Sequence, residues 1–141
     1  MKSLVLGSLA LFAVSTPCAL AEGYLAAKAI ELGDLILGTD DLGFGVSHQN
    51  YDIETGKSYS LTISSSGKQE CAWIAPEFFN FVWLRKVEAG EVEIKATHLY
   101  ELEFEEEGEA SIFFVPIRPG TFEWSCRGLE SRGMKGTFTV K

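Results

Sequence analysis

Cys126 and Met134 stand close together near the end of the chain, in the stretch SCRGLESRGMKGTFTV that runs from Ser125 to Val140. A thiolate and a thioether at this spacing can reach one metal ion from a single turn, the first as a strong ligand and the second as a weak one. A complete site would want an imidazole between them. Leu129 and Glu130 occupy that interval instead. The chain has only two histidines, His48 and His98. Both read as ordinary residues of strand-like segments, away from loops that could carry ligands.

The remaining cysteines are Cys18 and Cys71. Cys18 lies in MKSLVLGSLALFAVSTPCALA, which has a short positive start at Lys2, an apolar core from Leu4 to Val14 and a small-x-small site at Ala19-Leu20-Ala21. That pattern predicts a secretory signal peptide over residues 1–21, cleaved before Glu22. Ser15-Thr16-Pro17 is a poor approach to a lipidated cysteine, so an anchor at Cys18 is the lesser reading. Export implies an oxidising compartment, periplasmic in a Gram-negative source. The exported domain then keeps two cysteines, Cys71 and Cys126, whose default fate is a disulfide. That default competes with a metal role for Cys126.

The formal net charge is −8 for the whole chain, and losing Lys2 makes it one unit more negative. An acidic surface argues against nucleic acid and permits steering towards a basic partner. Beyond the leader no apolar run is long enough to cross a membrane.

The elements that must position the two sulfurs read as β. Residues 22–43 form a lead-in whose YLAAKAIEL fits either a short helix or a strand that starts late. From Phe44 to Lys141 the pattern is that of one domain. FGVSHQNYDI is strand-like and ETGKS is a turn. YSLTISSSG alternates, with Tyr59, Leu61 and Ile63 on one face. ECAWIAPEF closes at Pro76, FVWLRKV and VEIKA flank a turn at EAGE, and HLYELEFEEEGEA alternates until Gly108. SIFFVPI, a turn at Pro119-Gly120, TFEWSC and MKGTFTVK complete the set. Seven or eight short strands with regular turn signals predict an all-β, antiparallel Greek-key β-sandwich. The run Glu105-Glu106-Glu107 with Glu109 lacks a calcium-loop pattern and reads as a solvated edge.

The closing half, SIFFVPIRPGTFEWSC followed by GMKGTFTV, resembles the cupredoxins, the blue-copper proteins related to plastocyanin. Phe122, Trp124 and Cys126 match the aromatic strand that ends in the thiolate, and Gly133, Met134 and Gly136 match the turn that carries the axial thioether. VSHQNYDIETGKSYSLTISSSG resembles the family's early strands more loosely. The resemblance implies a cupredoxin-like sandwich, a copper cofactor held by two imidazoles, a thiolate and a thioether, and an electron-transfer association. Residue by residue the ligand set is incomplete. Leu129 stands where the second imidazole would fall, and Glu70 and Cys71 stand in the neighbourhood of the first.

Two readings stay open. In one, copper is held by Cys126, Met134 and Cys71, with Glu70 or Glu130 completing the set. Two thiolates and a thioether are soft ligands that favour Cu(I) over Cu(II), so copper handling fits better than a redox shuttle, and the partner would be a redox or copper-delivery protein. In the other, the pocket is metal-free and Cys71 and Cys126 are joined, leaving a disulfide-stapled binding or scaffolding module with Met134 as a core residue. An enzyme is not expected: no nucleophile motif lies beside either histidine, and no Gly-rich phosphate loop opens a helix. Arg127 and Arg132 read as solvated loop residues. Phe78, Phe79, Phe81, Val82 and Trp83 are too apolar for a solvated loop. They either pack under the sheet or form an apolar docking patch.

Overall fold

The computed structural model describes residues 27–141. The signal-peptide reading of residues 1–21 and the alternative anchor at Cys18 lie outside them. Among the described residues, no helix is long and apolar enough to cross a membrane.

Two sheets face each other across one core. The first is built on β4 (Tyr59–Ser66) and β9 (Glu107–Pro116), which pair antiparallel along the whole of β4. On the far side of β9 lie β6 (Val82–Ala89) and then β7 (Val92–Ile94). On the near side of β4 lie two short parallel strands, β1 (Ile30–Glu31) and β2 (Leu35–Leu37). The second sheet has the order β3 (Asn50–Ile53), β11 (Lys135–Val140), β10 (Gly120–Cys126), β5 (Cys71–Ile74) and β8 (Leu102–Phe104). The expected all-β sandwich is present, with mixed rather than purely antiparallel sheets: β1 and β2 run parallel to β4, and β3 parallel to β11. The chain passes repeatedly from one sheet to the other, so residues distant in sequence meet in the core.

Alternation puts each sheet's apolar face inward. On β4 the buried residues include Tyr59, Leu61 and Ile63, as expected. On β10 they are Phe122, Trp124 and Cys126, and on β11 Phe138 and Val140. Between β5 and β6 the chain makes one helical turn, α1 (Pro76–Phe79), with Pro76 in its first turn where a missing N–H costs nothing. This turn drives Phe78 into the centre. Its ring stacks on Phe138 of the second sheet, 4.2 Å between centroids, and meets Phe114 of the first sheet edge-on at 5.2 Å.

Where β1 gives way to β2, the carbonyls of Gly33 and Asp34 leave the ladder. Three side chains answer them. Tyr51 Oη donates to Gly33 O at 3.0 Å, Ser47 Oγ to Asp34 O at 2.7 Å, and His48 Nδ1 to Asp34 O at 3.0 Å. The strand reading of the histidines is therefore corrected. His48 is exposed in the bend before β3, held there by its bond to Asp34, and His98 is exposed in the connection that carries the chain from β7 in one sheet to β8 in the other. The same crossing shortens the expected HLYELEFEEEGEA strand. Only Leu102–Phe104 pairs, a turn follows at Glu105 and Glu106, and Gly108 lies inside β9 rather than ending a strand.

Candidate functional site

Cys126 is the last residue of β10, and the chain then turns back on itself. Leu129 N–H donates to Cys126 O at 2.9 Å, a 3-10 turn spans Glu130–Arg132, and Met134 N–H donates to Leu129 O at 3.3 Å. Gly133, at φ 93°, takes the left-handed conformation that ends this turn without steric cost. Cys126 N–H then donates to Met134 O at 2.9 Å. The loop therefore returns residue 134 to the side of residue 126, as its spacing predicts.

Across from it, β5 pairs with the end of β10 at Ser125–Ile74 and Cys126–Trp73. Cys71 lies diagonally beside Cys126, with a Cα–Cα separation of 5.1 Å, and the two sulfurs are joined in a disulfide. Both cysteines and Met134 are buried to within 1% of full enclosure. Trp73 and Trp124 flank the bridge along their strands, their ring centroids 6.5 Å apart.

The other residues of the proposed ligand set have different surroundings. The Glu130 carboxylate folds back onto the preceding loop: Oε1 accepts from Gly128 N–H at 3.1 Å and from Ser125 Oγ at 3.2 Å. Backbone N–H groups of Glu130 and Gly128, with the Ser125 hydroxyl, hold its carboxyl below the usual carboxylate range. Glu70 is exposed immediately before β5. Among the described residues, no three His, Cys, Asp or Glu side chains converge as a metal site requires. Copper therefore does not fit the residues as they stand. The sulfur at the thiolate position is spent in a covalent bond, Leu129 offers no donor, and the Glu130 carboxylate already accepts from backbone N–H groups and the Ser125 hydroxyl.

The arginines of the loop are pinned rather than freely solvated. Arg127 pairs with Glu101 at 2.8 Å and lies over the ring of Tyr100 at 5.4 Å, while Arg132 lies over Phe44 at 5.0 Å. The apolar run after Pro76 packs: Phe78, Phe79 and Val82 are buried and Phe81 half-buried, and only Trp83, 41% exposed, reaches the surface.

A second feature escapes sequence reading. The outer face of the five-stranded sheet holds a groove of about 740 Å³. The outward residues of β10, Thr121, Glu123 and Ser125, form its floor between Asn50 of β3 and Glu77 of α1. Their alternation with Phe122, Trp124 and Cys126 was the available signal. It shows which side faces out, but not that the face is concave.

No family model matches the chain, and no curated protein matches it. Solved structures do. A laccase from Pediococcus acidilactici superposes with a TM-score of 0.61 at 7% identity, over 88% of this chain and 29% of that one. A multicopper oxidase from Campylobacter jejuni gives 0.56 at 14% identity, over 91% and 33%. Auracyanin from Roseiflexus castenholzii gives 0.47 at 18% identity, over 77% and 94%. The chain thus spans about a third of the length of the oxidases it matches. With the two facing sheets and the turn that returns Met134 to Cys126, the likeness to the two oxidases identifies the fold as a cupredoxin-like β-sandwich.

Proposed function

We propose that this chain is an exported, metal-free, cupredoxin-like binding module, closed by a disulfide at the position where a copper thiolate would stand. The Cys71–Cys126 bridge is the observation that carries this reading. A sulfur held in a buried disulfide is not a thiolate, and thiolate is the form that binds metal. The lack of an imidazole at both expected positions and the engagement of Glu130 by Gly128 N–H and the Ser125 hydroxyl point the same way. A disulfide also accords with the oxidising compartment that the leader sequence implies.

Copper handling is the second reading, favoured by the return of Met134 to the side of Cys126. It requires the bridge to be reduced, which would release two thiolates beside a thioether. A delivery protein able to hold Cu(I) would then be the natural partner.

Thiol counting and metal titration separate the two. The native full chain is expected to show no free thiol after leader removal, two thiols only after unfolding in reductant, and no uptake of Cu(I) or Cu(II). Two native thiols with tight Cu(I) uptake would overturn the module reading and establish copper handling. An intense visible charge-transfer band with Cu(II) would overturn it in favour of electron transfer.

A further inference from the structure

The first sheet ends at β7, and among the described residues nothing pairs with its outer edge. β7 is joined to β6 by the turn Gly90-Glu91, which sets Ala89 opposite Val92, Glu88 opposite Glu93 and Val87 opposite Ile94. In a hairpin of this kind the two residues that flank the turn bond each other, and bonded and unbonded pairs then alternate. Val92 and Ile94 therefore spend their N–H and C=O groups on β6. Glu93 points both of its groups out of the sheet, and a strand continued beyond Ile94 gives Lys95 the same orientation.

The side chains of this edge sort by face. Val92 and Ile94 stand on the face that buries Val87, yet they are 60% and 44% exposed. Glu93 stands on the other face, paired with Lys86 at 3.0 Å and with Lys95. Other edges offer less. Along β2, Ser47 N–H donates to Ile36 O at 3.0 Å, and Ser47 Oγ accepts from Ile36 N–H at 2.8 Å. β3 has its apolar residues Tyr51 and Ile53 already buried. β8 carries Glu103 between Glu101 and Glu105, and carboxylates along an edge repel a second acidic strand.

A second copy of the chain fits β7 in one register. Two antiparallel edges bond through their outward-facing residues. Glu93 of one copy must then face Glu91, Glu93 or Lys95 of the other. The first two choices oppose like charges, which destabilises a cross-strand pair. The third sets Glu93 against Lys95 on both sides of a two-fold axis. It also sets Ile94 against Ile94 at an unbonded position, where side chains approach most closely, and Val92 against Ala96. The apolar row and the charged row are both self-complementary in this register.

We propose that the protein forms a weak antiparallel dimer through β7, centred on Ile94, with Glu93 of each copy paired to Lys95 of the other. Each Glu93 N–H donates to a Lys95 carbonyl across the axis and each Lys95 N–H to a Glu93 carbonyl, so two six-stranded sheets become one. Few residues meet, which puts the interface in the small, transient class. The inference stands apart from the reading of the chain as a binding module, because β7 holds none of the sulfur ligands.

Sedimentation equilibrium from about 10 µM to 1 mM protein, in about 0.15 M salt, tests this. A monomer–dimer equilibrium is expected, with Kd on the order of 0.1 mM. Glu93→Pro removes an N–H that β6 does not use and should abolish the dimer. Lys95→Glu alone and Glu93→Lys alone should each weaken it about tenfold, since each opposes like charges twice. Mixed in equal amounts, these two variants should dimerise with each other, because every charged pair across the axis is then opposite again. Amide NMR spectra of each dilute variant, matching the native chain away from β7, check that the fold is kept. A monomer at about 1 mM, which leaves the edge to the strand of a different protein, overturns the proposal. So does a dimer that Glu93→Pro leaves intact, an open-ended assembly in place of a closed pair, or a mixture of the two charge variants that stays monomeric.

Discussion

Tyr51 shows how one residue answers a backbone problem. Its hydroxyl satisfies the Gly33 carbonyl at the break between β1 and β2, and burial, with the nearby charge of Asp34, pushes its pKa well above the ordinary 10. The sign of the linkage follows. Above pH 10 the unfolded phenol loses its proton while the folded one keeps it, so stability contributed by Tyr51 is complete below pH 10 and is lost as pH rises further. Tyr51→Phe should lose about 1 kcal/mol near neutral pH and show a shallower decline above pH 10. Urea midpoints for both proteins from pH 7 to 11 check this, and parallel curves would remove Tyr51 as the cause. Glu130 teaches the complementary lesson about reading residues from sequence. It stands where a ligand was wanted, but its neighbours Gly128 and its own N–H claim it first, a contact set by turn geometry that spacing alone does not reveal.

At the scale of elements, α1 is the part least legible in the sequence. Four residues are too few for a helical period to register against the surrounding β pattern, although Pro76 followed by an acidic residue and two phenylalanines was a usable start signal. The turn matters because Phe78 touches both sheets. Phe78→Ala should cost about 3–5 kcal/mol, measured by urea unfolding, against under 1 kcal/mol for the exposed neighbour Glu77→Ala. Equal costs would mean that the sheets meet without this ring. By contrast β4, β10 and β11 were readable because half-buried strands alternate. The parallel edge strands β1 and β2 were not, since two or three residues carry no periodicity and their pairing with β4 depends on distant carbonyls.

For the whole molecule, sequence reading reached the sandwich and the meeting of Cys71 with Cys126, but left open whether the sulfurs share a metal or a bond. That choice rests on the absence of imidazoles as much as on the sulfurs themselves. The bridge spans a sequence separation of 55 residues, and chain entropy makes closure of such a ring worth up to about 4 kcal/mol. Replacing both cysteines by alanine should lower stability by roughly 2–4 kcal/mol while leaving far-ultraviolet circular dichroism unchanged. A loss of β signal would instead make the bridge a condition of folding.

Between the two bonded cysteines runs the exposed crossing from β7 to β8. Because both ends of that segment are tied at one covalent point, cutting the backbone at Lys95 with trypsin opens a circle and releases nothing. The nicked protein should migrate as one band without reductant and as two with it.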